Sequence, residues 1–157
     1  MTSRRPMSAT TSEGCQMNGT NDGEATPPPT VSRRDRGIAA YARIFALPEQ
    51  EVPAAFAELV GPEFAEEALQ AAGGAGWWHP ALTARDRSIA IITALACQGV
   101  ADKRLRTHVR LGMRHGLDQD ALTALAALLA GYIGYPRASI TMETIKDEYA
   151  HTDRTEP

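Results

Sequence analysis

His108 is the residue of this chain best suited to proton transfer. It lies in the segment 101–115, whose apolar residues recur with the period of a helix. On that helix Leu105, Val109 and Gly112 share a face with the histidine, so its imidazole points inward beside a glycine that lets a neighbouring helix approach. An inward imidazole with a pKa near neutrality suits general acid–base catalysis. The same spacing also fits a core histidine that is hydrogen-bonded to a carbonyl group.

Arginines on the same segment are candidates for binding an anion. Arg104 lies one turn before His108, where its planar guanidinium would hold a substrate carboxylate through two hydrogen bonds. Three more arginines follow at i, i+4 spacing: Arg106, Arg110 and Arg114. Such a stripe of like charge costs stability unless it is paired. The spacing favours a solvated face opposite the acidic segment 63–67 over a binding role.

Adjacent tryptophans are unusual in a chain with only 6% aromatic residues. Trp77 and Trp78 must point in different directions, so we expect one in the core and the other in a pocket or a subunit contact. Tyr132, close to Gly134, would likewise line a pocket or cap the core.

The histidines and cysteines form no metal or redox motif. Four histidines are scattered along the chain, and none has a carboxylate at ligand spacing. Cys97 stands in an apolar helix, where we expect a structural residue, and Cys15 lies in the N-terminal segment. No glycine-rich phosphate loop follows a strand. We therefore expect neither a metal nor a cofactor.

The elements that position these residues are all helical, because no segment alternates as a strand does. Seven helices are predicted, over residues 35–45, 49–60, 63–72, 83–97, 101–115, 119–133 and 139–149. Thr83 and Asp86 nearly match a capping box at the start of the fourth helix, which is apolar almost all round and is expected to be central. Gly116 ends the fifth helix, and Asp118 begins the sixth. The pattern predicts an all-α bundle of about six to seven helices.

Composition divides the chain and limits its partners. Residues 1–32 are rich in Ser, Thr, Gly, Asn and Pro and are expected to be a disordered tail, followed by a helical domain over 33–150 and a short C-terminal tail over 151–157. A net charge of −3 does not indicate a protein that binds nucleic acid, because such proteins usually carry a basic surface. No apolar run approaches the roughly 18 residues of a membrane span, and no export signal follows the arginine pairs. We expect a cytoplasmic protein.

The order of these features resembles the carboxymuconolactone decarboxylase family. The matching pieces are residues 82–88, the long apolar helix, Thr107-His108-Val109-Arg110, Gly116 and Gly134-Tyr135-Pro136. The resemblance covers about residues 77–149. It implies an alkylhydroperoxidase-D-like fold that assembles as a homotrimer or homohexamer, with pockets near subunit contacts.

The resemblance also implies which branch of the family is relevant. The positions of the peroxidase cysteine pair fall on Ala101 and Arg104, so thiol peroxidase activity is not expected. The decarboxylase branch likewise lacks the cysteines and acts without a cofactor. By this resemblance His108 is the general acid or base, and Arg87-Ser88 matches the branch's Arg-Ser pair.

The resemblance extends to substrate binding. Arg87 would help to hold a carboxylate, and the implied binding residues are Trp77, Trp78, His79, Arg104 and Tyr132. The family arginine before the proline is His79 here, which alters one anion contact. A substrate other than carboxymuconolactone is therefore expected.

Two functions follow from the sequence. The first is a cofactor-independent decarboxylase, lactone or proton-transfer enzyme that acts on a small carboxylated or enolisable metabolite, by analogy in a specialised-metabolite pathway. The alternative is a non-catalytic oligomer that binds a ligand or a partner, with His108 as a core residue. A pocket shared by His108 and an arginine favours the enzyme, whereas a sealed His108 favours the alternative.

Overall fold

The computed structural model describes residues 31–152, which form eight α-helices and one 3-10 turn and contain no strand. In chain order the elements are α1 (Arg33–Phe45), the 3-10 turn (Glu49–Glu51), α2 (Val52–Val60), α3 (Pro62–Ala72), α4 (Ala75–Trp78), α5 (Ala84–Gln98), α6 (Lys103–Arg114), α7 (Gln119–Ile133) and α8 (Tyr135–Thr152). The predicted all-α bundle is confirmed. Of the tail predicted for residues 1–32, residues 1–30 lie outside the described residues.

Side-chain caps fix the starts of the helices around the centre of the chain. The Thr83 hydroxyl accepts a hydrogen bond from the Asp86 amide, and the Asp86 carboxylate accepts one from the Thr83 amide, so the predicted capping box is present. Asp118 caps α7 by accepting from the Ala121 amide. Gly116, with a φ of 81°, follows the end of α6 as predicted.

The last helix differs from its prediction at both ends. It begins at Tyr135 rather than at residue 139, because a proline in the first turn needs no amide hydrogen bond. The break after α7 is confined to Gly134, which has a φ of 83°. The helix continues to Thr152, into the segment predicted as a C-terminal tail. The break predicted after α3 also contains a short helix, α4.

Two hydrophobic clusters organise the fold. The N-terminal core joins α2 and α3 through Val52, Phe56, Ala65 and Leu69, with residues of α1 packed against it. The C-terminal core joins α5 to α8 and consists of Ile92, Leu105, Val109, Leu117, Leu122, Ala126 and Ile145. Helix α6 lies between the clusters, because it packs against α5 and α8 on one side and against α1 on the other.

Helix α5 is less enclosed than its apolar sequence suggested. It buries one stripe of residues at i, i+4 spacing, namely Ala84, Ser88, Ile92 and Ala96. Its neighbours α6, α7 and α8 cover this stripe, and the helix exposes Ala90, Ala94 and Cys97. The prediction that this helix is central is therefore wrong for the described residues, and the Cys97 side chain is exposed on its surface.

Two arginines of the α6 stripe, Arg106 and Arg110, pair with α8 rather than facing α3, whereas Arg114 donates to the Arg43 carbonyl of α1. The Glu148 side chain is only 2% exposed and accepts hydrogen bonds from Arg106 and Arg110. Burial alone would raise the pKa of Glu148, but the hydrogen bonds from the two guanidinium groups outweigh it and lower that pKa. Arg106 also binds the more exposed Asp147. This network fastens α8 to the outer side of α6.

We predict that Glu148→Gln lowers the free energy of unfolding by about 1–3 kcal/mol at neutral pH, because two arginines lose a buried charged acceptor. Asp147→Asn, on the same turn but half-exposed, should cost less than about 1 kcal/mol. Urea unfolding measures both values.

The effect of Glu148→Gln should also depend on pH. Because folding lowers the pKa of Glu148, its stabilising contribution is present above the ordinary value of 4.5 and is lost as the pH falls through the folded-state pKa. The difference between wild type and Glu148→Gln should therefore shrink in acid. An equal difference at pH 7 and in strong acid would contradict a role for the carboxylate charge.

Candidate functional site

A pocket of about 720 Å³ opens where the N-terminal core meets α6. Helices α1, α2 and α3 supply its apolar wall, which consists of Tyr41, Ile44, Phe45, Phe56, Leu59, Val60 and Phe64. Helices α5 and α6 supply the other side, which consists of Leu95, Lys103, Arg104, Thr107 and His108. We call this space the His108 pocket, because it contains the candidate acid–base residue.

His108 is held at the pocket by the helical spacing that the sequence indicated. Its neighbours Leu105 and Val109 are fully buried in the C-terminal core, and His108 itself is half-buried. Its Nδ1 atom is buried and has no hydrogen-bond partner among the described residues. The carbonyl bond that a core histidine would make at this atom is therefore absent.

Burial controls the protonation of this imidazole. Because the ring is removed from water, the charged form is disfavoured and the pKa of His108 falls below its ordinary value of 6.5. At neutral pH the ring is therefore uncharged. A neutral imidazole has one nitrogen with a free lone pair, so it is able to accept a proton from a bound molecule.

Two cationic side chains stand at the first turn of α6, on the same pocket. Lys103 and Arg104 both line it, and Arg104 is one turn from His108. Asp102 caps the helix by accepting from the Arg104 amide, and it also binds the Arg104 guanidinium. The positive end of the helix dipole lies at the same turn, and the Asp102 carboxylate offsets part of the positive charge there.

The opposite wall is aromatic. Tyr41 and Phe56 pack with ring centroids 4.3 Å apart and ring planes tilted by 38°, and the Phe45 ring lies 5.3 Å from each of them. Burial raises the pKa of Tyr41, so its phenol stays protonated. These three residues belong to the N-terminal core and also line the pocket.

Ser88 and Arg87, the other two predicted catalytic residues, do not line the His108 pocket. Ser88 is 1% exposed, and its Oγ lies 2.8 Å from Nδ1 of His115, which is seven residues beyond His108. Gly112 lies against the C-terminal core, because a Cβ there would lie 3.0 Å from Cδ1 of Leu117 and 3.2 Å from Cδ1 of Ile92. Arg87 donates to the Leu82 carbonyl at 2.6 Å.

The predicted aromatic and histidine binding residues also lie elsewhere. Trp78 is buried, with the Arg43 guanidinium 5.0 Å from its ring centre, and Trp77 is half-buried. Both indole N–H groups are buried and have no partner among the described residues. His79 is exposed and accepts a hydrogen bond from the Ala81 amide, while Tyr132 is 82% exposed on α7.

The structure therefore brings together two of the predicted site residues, His108 and Arg104. Sequence reasoning missed Lys103 and Thr107 as pocket residues, although both lie on the same helical face within one turn of that pair. Their spacing was the available signal. The contribution of α1 and α2 had no such signal, because it depends on how two separate cores meet.

No group of three potential metal ligands comes together within residues 31–152. None of the helices described there is long and apolar enough to cross a membrane.

We predict that the His108 imidazole titrates below pH 6.5, because burial disfavours its charged form. Proton NMR of the ring resonances against pH gives the midpoint, and His108→Gln identifies the resonance by its disappearance. A midpoint at or above 6.5 would show that the ring is hydrated or paired with an acid, contrary to the structure.

Comparison with known proteins places the chain in a family. The model of the carboxymuconolactone decarboxylase family matches residues 62–146, which is more than half of the chain, and the chain belongs to that family. No individual curated protein matches it. The matched segment contains Lys103, Arg104 and His108, whereas α1 and α2 precede it.

Proposed function

We propose that this member of the carboxymuconolactone decarboxylase family is a cofactor-independent enzyme that transfers protons on a small carboxylated, enolisable metabolite. One observation carries the proposal: the half-buried, neutral His108 lines the same pocket as Arg104 and Lys103. Its Nδ1 atom has no hydrogen-bond partner among the described residues. A base beside an anion-binding cluster is the arrangement that such chemistry needs. A histidine sealed in the core would instead have supported the non-catalytic alternative.

His108 acts first as a base in this proposal. It takes a proton from the carbon next to a substrate carbonyl. The electrons of the broken C–H bond form a C=C bond, and the π electrons of the carbonyl move to its oxygen to give an enolate. Arg104 and Lys103 hold the substrate carboxylate during this step. The imidazolium then returns the proton to another carbon, or to the opposite face of the same carbon, which gives an isomerised product.

The same groups also support decarboxylation. When the carboxylate is β to the carbonyl, the C–C bond breaks, carbon dioxide leaves and its bonding electrons form the enolate. An imidazolium at His108 then protonates the carbon. This route requires His108 to be protonated beforehand, and a bound carboxylate favours that state because opposite charges attract. Lyase and isomerase activity thus differ in the bond broken rather than in the residues used.

In this proposal Ser88 and Arg87, the other two predicted catalytic residues, stabilise the fold around the site. Ser88 fixes the C-terminal end of α6 through His115, and Arg87 fixes the loop before α5 through Leu82. Neither touches the substrate within this chain.

We further propose that the chain works as a homotrimer or homohexamer. Support comes from large apolar side chains exposed on α7 and α8, including Leu128 at 61%, Tyr132 at 82% and Tyr135 at 80%. Exposed apolar residues grouped on one side of a protein are typical of a contact surface. Tyr132 would thus belong to a subunit contact.

The role of His108 as the base is tested by isotope exchange. In D₂O, wild type should catalyse hydrogen–deuterium exchange or carbon dioxide release on some member of a panel of β-keto and α-aryl carboxylic acids, followed by proton NMR. His108→Gln should lose about 10²–10⁴-fold in rate, because the base is removed. The exposed His79→Gln serves as the matched control and should keep its rate.

Two outcomes would contradict this proposal. Full activity in His108→Gln would remove the histidine from the mechanism. Tight binding of an acid without exchange or release would favour the non-catalytic binding protein. Circular dichroism of each variant separates a lost base from a lost fold.

The proposed subunit contact is tested by the mass of a Tyr132 variant. Tyr132→Glu should shift the mass measured by light scattering toward the monomer, because a charge would be buried in an apolar contact. Gln119→Glu, exposed on the same helix, should leave the mass unchanged. A monomeric wild type would refute the proposed oligomer.

A further inference from the structure

We infer that the His108 pocket selects a monoanionic acid with an apolar body of aromatic size, and that α1 and α2 set this preference. The inference deepens the proposed function, since it names the substrate class of the same site. Four features carry it: the separation of charge within the pocket, its volume, its exposed apolar rim and the origin of its walls.

Charge is confined to one end of the pocket. Lys103 and Arg104 stand together at the first turn of α6, with His108 one turn further along the helix. The wall from α1, α2 and α3 contains no charged side chain. A ligand with one carboxylate at the α6 end therefore leaves its remaining atoms against hydrocarbon. A second carboxylate would lie against that wall without a partner, which is unfavourable.

The volume agrees with a ligand larger than a simple lactone acid. Pockets of about 300–1,000 Å³ typically enclose drug-sized ligands, and this one measures about 720 Å³. The walls are rigid aromatic and branched residues, and the contacts among Tyr41, Phe45 and Phe56 keep them in place. A fused or substituted ring offers the flat apolar area that packs against such a wall.

The rim of the pocket is apolar and solvent-exposed. Leu59 is 49% exposed at the end of α2, and Phe64 is 64% exposed at the start of α3. Both residues line the pocket. A ligand that extends from His108 toward this rim would cover them and remove apolar surface from water, which favours binding by an amount proportional to the covered area.

The walls and the chemical groups come from different parts of the chain. His108, Arg104 and Lys103 lie within the segment matched to the family, residues 62–146. Six of the seven residues of the apolar wall precede that segment, and Phe64 is the exception. The family segment thus supplies the charge and the base, while α1 and α2 supply the surface that distinguishes one substrate body from another.

Isothermal titration calorimetry with three probes tests the inference on the full chain. The probes are 2-naphthoate, which has an apolar body and one charge, 2-naphthamide, which lacks the charge, and adipate, which has two charges and no ring. We expect 2-naphthoate to bind at least about tenfold more tightly than either of the others. Equal or tighter binding of adipate would overturn the inference.

Two variants measure the separate contributions of the apolar wall and of the cationic end of the pocket. Leu59→Ser, at an exposed position, should weaken 2-naphthoate binding about fivefold to tenfold, because apolar contact is lost. Lys103→Gln should reduce the advantage of 2-naphthoate over 2-naphthamide. Leu82→Ser, also exposed but outside the pocket, is the matched control and should leave the dissociation constant unchanged. Unaltered binding in Leu59→Ser would exclude α2 as the selecting wall.

His108→Gln separates this inference from the proposed function. The variant should still bind 2-naphthoate in preference to adipate, because the walls and the cations remain. If it binds with this preference but keeps full catalytic activity, the proposed mechanism fails and the inference stands. If activity depends on His108 while 2-naphthoate shows no preference, the inference fails and the mechanism stands.

Discussion

The removal of one imidazole from water is the interaction on which the site depends. His108 lies on α6 where the N-terminal and C-terminal cores meet, and burial between them lowers its pKa. A neutral ring at neutral pH is a better base than an imidazolium, which has no free lone pair. This state requires both cores, since either cluster alone would leave one side of α6 in water.

The two helices on either side of α6, α8 and α1, are held in place by different kinds of contact. On the outer side, the buried Glu148 carboxylate fastens α8 through Arg106 and Arg110. On the pocket side, α1 depends on backbone contact with α3, because a Cβ at Gly37 would lie only 1.8 Å from the Leu69 carbonyl oxygen. Any side chain at Gly37 would push α1 away and move the aromatic wall. The pocket therefore depends on a residue that does not line it.

Local signals in the sequence were sufficient for the helices but not for the whole site. The Thr83 capping box and the helical spacing of Leu105, His108 and Val109 are encoded within one or two turns, and the structure has both. The partner of Arg110 is 38 residues away, so nothing near it in sequence identified Glu148. The association of Ser88 with His115, rather than with His108, likewise depends on how α5 crosses α6.

The proposed substrate would change the state of the site that binds it. Burial lowers the pKa of His108 and so favours the neutral ring. A carboxylate held at Lys103 and Arg104 would add a negative charge about one helical turn from the ring, and a nearby negative charge stabilises the imidazolium. The ring would thus accept a proton more readily once the substrate is bound. Because an amide adds no such charge, a neutral analogue would occupy the apolar wall without preparing the base, which links selectivity for an acid to the chemistry itself.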